Sequence, residues 1–194
     1  MTSAPSGIPT TRIPDEQVAG PTTQLYFDKF TVCDPAVTPN TLYLDLTNPV
    51  KYDNLLRACS WTVGAASSTS VRLEIWRKLP NNQLINVYTH PKWISAADAK
   101  IYPPSSTPRC SLSLRFYAKA GDLIGFRCSD TNPITYLPTW RNKPGQTLVG
   151  EAVPAATDGS SGTPLDAFKL VDRVYAYTVL GTKSTAGHLL VLND

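Results

Sequence analysis

Apolar and polar residues alternate with a period of two in many short stretches of this chain. The clearest is Val71-Arg72-Leu73-Glu74-Ile75-Trp76-Arg77, where Val71, Leu73 and Ile75 share one face and Arg72, Glu74 and Trp76 the other. That pattern predicts a half-buried strand of an antiparallel sheet. Leu112-Ser113-Leu114-Arg115-Phe116 repeats it, and in Arg173–Val179 one face carries Tyr175, Tyr177 and Val179. Further strand-like runs cover Thr41–Thr47, Leu55–Val63, Gln83–Thr89, Leu123–Cys128 and Thr147–Val153. Turn clusters such as Pro80-Asn81-Asn82 and Asp158-Gly159-Ser160-Ser161-Gly162 separate them. No segment keeps helical periodicity over three turns, and the best helical candidate is Ser95–Lys100. Roughly ten strands predict an all-β, two-sheet antiparallel β-sandwich of jelly-roll-like form.

Local spacing makes a further prediction. Lys119-Ala120-Gly121 suits a three-residue hairpin loop with Gly121 in the left-handed position. Leu112 then faces Cys128, and Cys110 lies diagonal to it. Diagonal neighbours are about 7–8 Å apart, beyond the reach of an unstrained disulfide. A Cys110–Cys128 bond therefore needs a longer loop or a bulge. The four cysteines, Cys33, Cys59, Cys110 and Cys128, are even in number and form no CxxC pair. They are read as disulfide candidates in an oxidising compartment, with four buried free thiols as the alternative. Sequence proximity favours Cys33–Cys59 with Cys110–Cys128, and the other pairings stay open.

The ends differ from the middle. Residues 1–22 carry Pro5, Pro9, Pro14 and Pro21 among small polar residues and read as an extended arm outside the core. Residues 23–181 form the expected sandwich domain. Residues 182–194 form a tail or last strand, with the apolar run Leu189–Leu192. Charged residues make up 17% of the chain and the net charge is +3, with no Lys/Arg block, so nucleic-acid partners are not expected. No apolar run is long enough to span a membrane. The N-terminal stretch lacks the apolar core of a signal peptide, which leaves a signal removed before residue 1 or none at all.

The motifs Cys59-Ser60-Trp61-Thr62-Val63, Ile75-Trp76-Arg77 and Ala120-Gly121-Asp122-Leu123-Ile124-Gly125-Phe126 occur in that order. Over about residues 55–137 this resembles an extracellular β-sandwich module of invertebrate secreted and surface proteins. The resemblance implies an extracellular, non-catalytic module and supplies no binding residues.

Chemistry is sparse. His90 and His188 lie far apart and no nucleophile elbow is present, so neither a triad nor a metal centre is expected. Both histidines are read as surface residues. Most carboxylates sit at turn positions. No cofactor is expected, and the chain is read as a non-enzyme. Aromatic residues near loops are the better candidates for ligand contact: Trp93, Tyr136, Trp140 with Arg141, and Trp76 on the polar face of its strand. Trp61 is assigned to the core. The leading expectation is an extracellular structural module acting in assembly or adhesion, through self-association or other extracellular proteins. The alternatives are a lectin-like carbohydrate-binding module and a viral jelly-roll capsid or fibre protein, located in a virion.

Overall fold

A computed structural model of the chain describes residues 15–21, 33, 38–64, 69–102, 106–140, 143–151, 153 and 162–183. Eight principal strands build it: β1 (Glu16–Ala19), β2 (Leu42–Asp45), β3 (Asn54–Thr62), β4 (Ser70–Lys78), β5 (Gln83–Thr89), β7 (Arg109–Ala118), β8 (Leu123–Cys128) and β16 (Tyr177–Lys183). Shorter ones fill the connections: β6 (Ile94–Ser95), β9 (Tyr136–Leu137), β10 (Thr139–Trp140), β11 (Lys143–Pro144), β12 (Thr147–Gly150), β13 (Thr163–Pro164), β14 (Lys169–Val171) and β15 (Val174–Tyr175).

The principal strands pair in a nested way. β1 pairs with β16, β2 with β8, β3 with β7 and β4 with β5, all antiparallel. One sheet has the order β1-β16-β3-β7 and the other contains β5-β4-β8-β2. First with last, second with seventh, third with sixth and fourth with fifth is the order of a jelly roll, an antiparallel ribbon rolled into two facing sheets. The all-β sandwich expected from the alternation is therefore what forms. Ser95–Lys100 contributes a single 3-10 turn, Ala96–Asp98.

The sandwich core lies between the sheets. It contains Leu56, Cys59, Trp61, Val71, Leu73, Ile75, Ile124, Phe126, Tyr175, Tyr177 and Val179. Trp61 and Tyr177 both stack on Phe126, at 5.7 and 5.2 Å between ring centroids. At one end Asp45 is buried and accepts from Tyr177 Oη (2.8 Å), Thr47 N (2.7 Å) and Asn48 Nδ2 (3.0 Å). One carboxylate thus ties the sharp turn after β2 to the opposite sheet. Burial raises its pKa above the ordinary carboxylate value, against the pull of those hydrogen bonds.

A second core lies on the other face of the larger sheet. That sheet runs β13-β5-β4-β8-β2-β12-β14. Six steps between its outermost strands would span about 29 Å if flat, yet only the stretch from Pro164 to Lys169 joins β13 to β14. Five residues reach about 17 Å at most, so the sheet must curl into a half-barrel. Its inner side holds Leu42, Leu44, Trp76, Leu84, Leu123 and Leu148, covered by Val153 and Phe168. Gly125 makes room here: a Cβ would lie 2.5 Å from Leu44 Cδ2, so the Leu44 side chain would have to shift. The expected half-buried strand β4 is consequently buried on both faces.

Three expectations are corrected. The arm is shorter than 1–22, because Glu16–Ala19 joins the sheet and Val18 and Ala19 are in the core. Residues 1–14 and the run Leu189–Leu192 fall outside the described part. The run ending at Tyr117 and the one starting at Leu123 do not form a hairpin. Gly121 has the expected positive φ (87°), and Asp122 N closes a turn on Lys119 O at 3.1 Å, but the chain crosses from one sheet to the other. Leu112 faces Cys59 rather than Cys128. The disulfides are absent as well: none of Cys33, Cys59, Cys110 and Cys128 is bonded to another cysteine. Cys110 and Cys128 sit on facing sheets, and packed sheets stand about 10 Å apart. Burial pushes the Cys110 thiol up to about 11 and the Cys59 thiol well above its ordinary value, which makes both poor nucleophiles.

Candidate functional surface

Two polar clusters grow from the alternation of β4, and they lie on the same face of that strand. The first is interior. Glu74 is fully buried and takes a bidentate ion pair from Arg127, Nε to Oε1 at 2.6 Å and Nη2 to Oε2 at 3.1 Å. Trp76 Nε1 donates to Glu74 Oε2 at 3.0 Å. Arg127 Nη1 donates to the carbonyls of Asn40 and Val153, each at 2.9 Å. Every group here is held by protein, so the cluster fastens the half-barrel and its cover rather than presenting anything to a ligand. Trp76, expected as a contact residue, is fully buried and packs edge-on against Phe168 at 6.4 Å. The reason is the cover from Leu148, Val153 and Phe168, which no local pattern in β4 announces.

The second cluster is at the surface, on the connection from β5 to β7. His90 is buried, which corrects its reading as a surface residue. Its N–H binds Leu73 O at 2.9 Å, and its Nδ1 accepts from Lys92 N at 3.2 Å. This tight turn through Pro91 projects Trp93 outward. β6 then pairs with the start of β4, and Ser95 Oγ caps the 3-10 turn by accepting from Ala97 N. Lys100 and Arg109 exchange two backbone hydrogen bonds of 2.9 Å, which anchors the far end to β7. Cys110 Sγ donates to Ser95 O at 3.5 Å, linking the two ends of the connection.

This frame displays aromatic rings beside cations. Trp93 is 37% exposed, Ile101 61% and Tyr102 43%. Only two other large apolar residues, Tyr117 and Leu170, are exposed among the described residues, so most of that surface is concentrated here. Arg72 stacks its guanidinium 4.6 Å from the Trp93 ring, and Arg109 lies 5.2 Å from that of Tyr102. Lys92 and Lys100 are exposed on the same connection, against the one carboxylate of Asp98. Arg72 shares Glu74 with Arg127, and two guanidinium groups on one carboxylate leave a positive charge in excess.

The remaining expected contact residues do not join this surface. Tyr136 is half-buried against Tyr175, itself packed on Tyr43, with Arg173 over its ring at 4.8 Å. Trp140 falls in β10, but its side chain lies outside the description, as does Arg141. His188 also lies outside it. Among the described residues no group of three His, Cys, Asp or Glu side chains could hold a metal. No helix there is long and apolar enough to cross a membrane. In an open hollow between Arg77–Pro80 and Lys119–Asp122, Arg77 is engaged internally, binding Asp122 at 2.7 and 2.8 Å. Reading along the chain singled out Trp93 but missed Tyr102, Ile101 and the part played by Arg72. The only available signal was the crowding of Lys92, Trp93, Lys100, Ile101 and Tyr102 into one irregular connection.

Comparison with protein-family models, with curated proteins and with solved structures found no match. The likeness to a secreted invertebrate module stands on its quoted motifs alone.

Proposed function

We propose that the chain is a non-enzymatic structural subunit that works by self-association. The observation carrying this reading is the edge strand β7. It is ten residues long and borders the smaller sheet. On its outer side the described residues pair only at Arg109–Lys100. Arg109 turns its N–H and C=O outward to Lys100, so by the two-residue repeat Ser111 and Ser113 turn theirs outward too. Ser111, Ser113, Arg115 and Tyr117 are exposed along it. An edge of this kind is a template for a neighbour's strand, and rolled sandwiches of this order are common building blocks of shells. Four cysteines outside any disulfide take away the disulfide argument for an oxidising compartment and favour the coat or fibre form of the reading. Sedimentation velocity across a concentration series tests it. Ser111→Pro removes an outward N–H without touching the ladder to β3, so oligomers should dissociate while the fold survives. A wild type that stays monomeric at the highest soluble concentration would end the reading.

Carbohydrate binding is the second reading, favoured by the exposed Trp93 ring held by Arg72. Its test is saturation-transfer NMR on wild type and Trp93→Ala with neutral and acidic sugars.

A further inference from the structure

We infer that the β5–β7 connection selects an acidic glycan, with Trp93 and Tyr102 as stacking platforms and Lys92 and Lys100 as the groups that read the negative charge. This deepens the carbohydrate reading and rests on it.

Three observations lead there. First, the exposed rings are positioned rather than loose: Trp93 follows a turn fixed by the buried His90, and Tyr102 follows the Lys100–Arg109 bridge. A rigid aromatic face loses little entropy when the C–H face of a sugar stacks on it. Second, positive charge predominates. Lys92 precedes Trp93 and Lys100 lies two residues before Tyr102, with Asp98 the one carboxylate between them. The Arg72–Glu74–Arg127 cluster adds a positive charge in excess beside Trp93. A carboxylate or sulfate on the sugar would meet charge-assisted donors. Third, the alternatives fit less well. A two-fold contact with the same patch on a second copy would bring like charges together. A nucleic acid calls for a longer cationic track than two lysines in a chain of net charge +3.

The experiment titrates full-length protein with sialyllactose, a sulfated chondroitin tetrasaccharide, lactose and a short single-stranded oligothymidylate. The expected result is binding of an acidic sugar, weakened at least about tenfold by Trp93→Ala, a contact-residue effect. The pair Lys92→Glu with Lys100→Glu should weaken it as much, while Lys92→Arg with Lys100→Arg should retain it. Equal binding of lactose, unaffected by the lysine reversal, overturns the acidic selectivity and leaves the carbohydrate reading standing. No response to any sugar up to about 5 mM, weaker than an ordinary specific contact, overturns both. Tighter, Trp93-dependent binding of the oligothymidylate overturns the inference in favour of a nucleic acid. Since Trp93 and both lysines are at the surface, the variants should fold, and an unchanged circular dichroism spectrum checks this.

Discussion

Strand β4 carries the same chemistry twice, with opposite consequences. In the half-barrel Trp76, Glu74 and Arg127 are sealed from water, and each polar atom reported there has a protein partner. At the start of the strand Arg72 lies against Trp93, and both meet solvent. The buried cluster is a fastening, and the exposed pair is the one proposed to meet a ligand. What separates them is a set of residues much later in sequence, Leu148, Val153 and Phe168, which covers one pair only. Stability should therefore depend on the interior cluster, and binding on the exposed one.

The largest effect is expected at the ion pair. Arg127→Ala leaves the Glu74 carboxylate buried without its main partner, which should cost about 3–5 kcal/mol in a urea titration. A loss below about 1 kcal/mol, the range of exposed pairs, would mean that water reaches the half-barrel and that the two clusters are alike. Trp76→Ala should come next or equal, at about 3–5 kcal/mol, because it empties the space against Phe168 and removes one of the donors to Glu74 Oε2.

Asp45 gives a comparison by pH. Its folded pKa is raised, so the folded state holds the proton more tightly than the unfolded chain. The resulting stabilisation is fully present below the unfolded value of about 3.9 and is lost as pH rises through the folded value, with a slope of at most about 1.4 kcal/mol per pH unit. Tyr177→Phe removes a hydrogen bond to the ionised form and should carry the loss to higher stability cost above that range. Asp45→Asn should abolish this part of the slope. Urea midpoints measured from mildly acidic to neutral pH read both, and an unchanged profile in Asp45→Asn would place the titration elsewhere.

The smallest effect should be at the surface. Trp93→Ala is expected to change stability by no more than about 0.5 kcal/mol. A drop comparable to that of Trp76→Ala would show that the β5–β7 connection is core and would remove the distinction between the clusters.

The period-two alternation determined much of this protein. Val71, Leu73 and Ile75 reach the sandwich core as their spacing requires, and Tyr175 from β15 and Tyr177 and Val179 from β16 do the same. Such positions are legible because a strand has only two faces and a core accepts one kind of side chain. Gly121 was legible too, since a local turn fixes its φ. Partnerships between distant strands were not. Whether the chain after Lys119 folds back on β7 or crosses to the facing sheet depends on β3 and β4, which compete for the two strands. That choice separated Cys110 from Cys128 and left the four cysteines without a disulfide. Likewise the polar face of β4 looked solvated until the sheet curled and Leu148, Val153 and Phe168 closed over it. Local sequence settles which residues dislike water. Only the tertiary fold decides which part of the chain keeps water from them, because that contact is made between residues some seventy to a hundred positions apart.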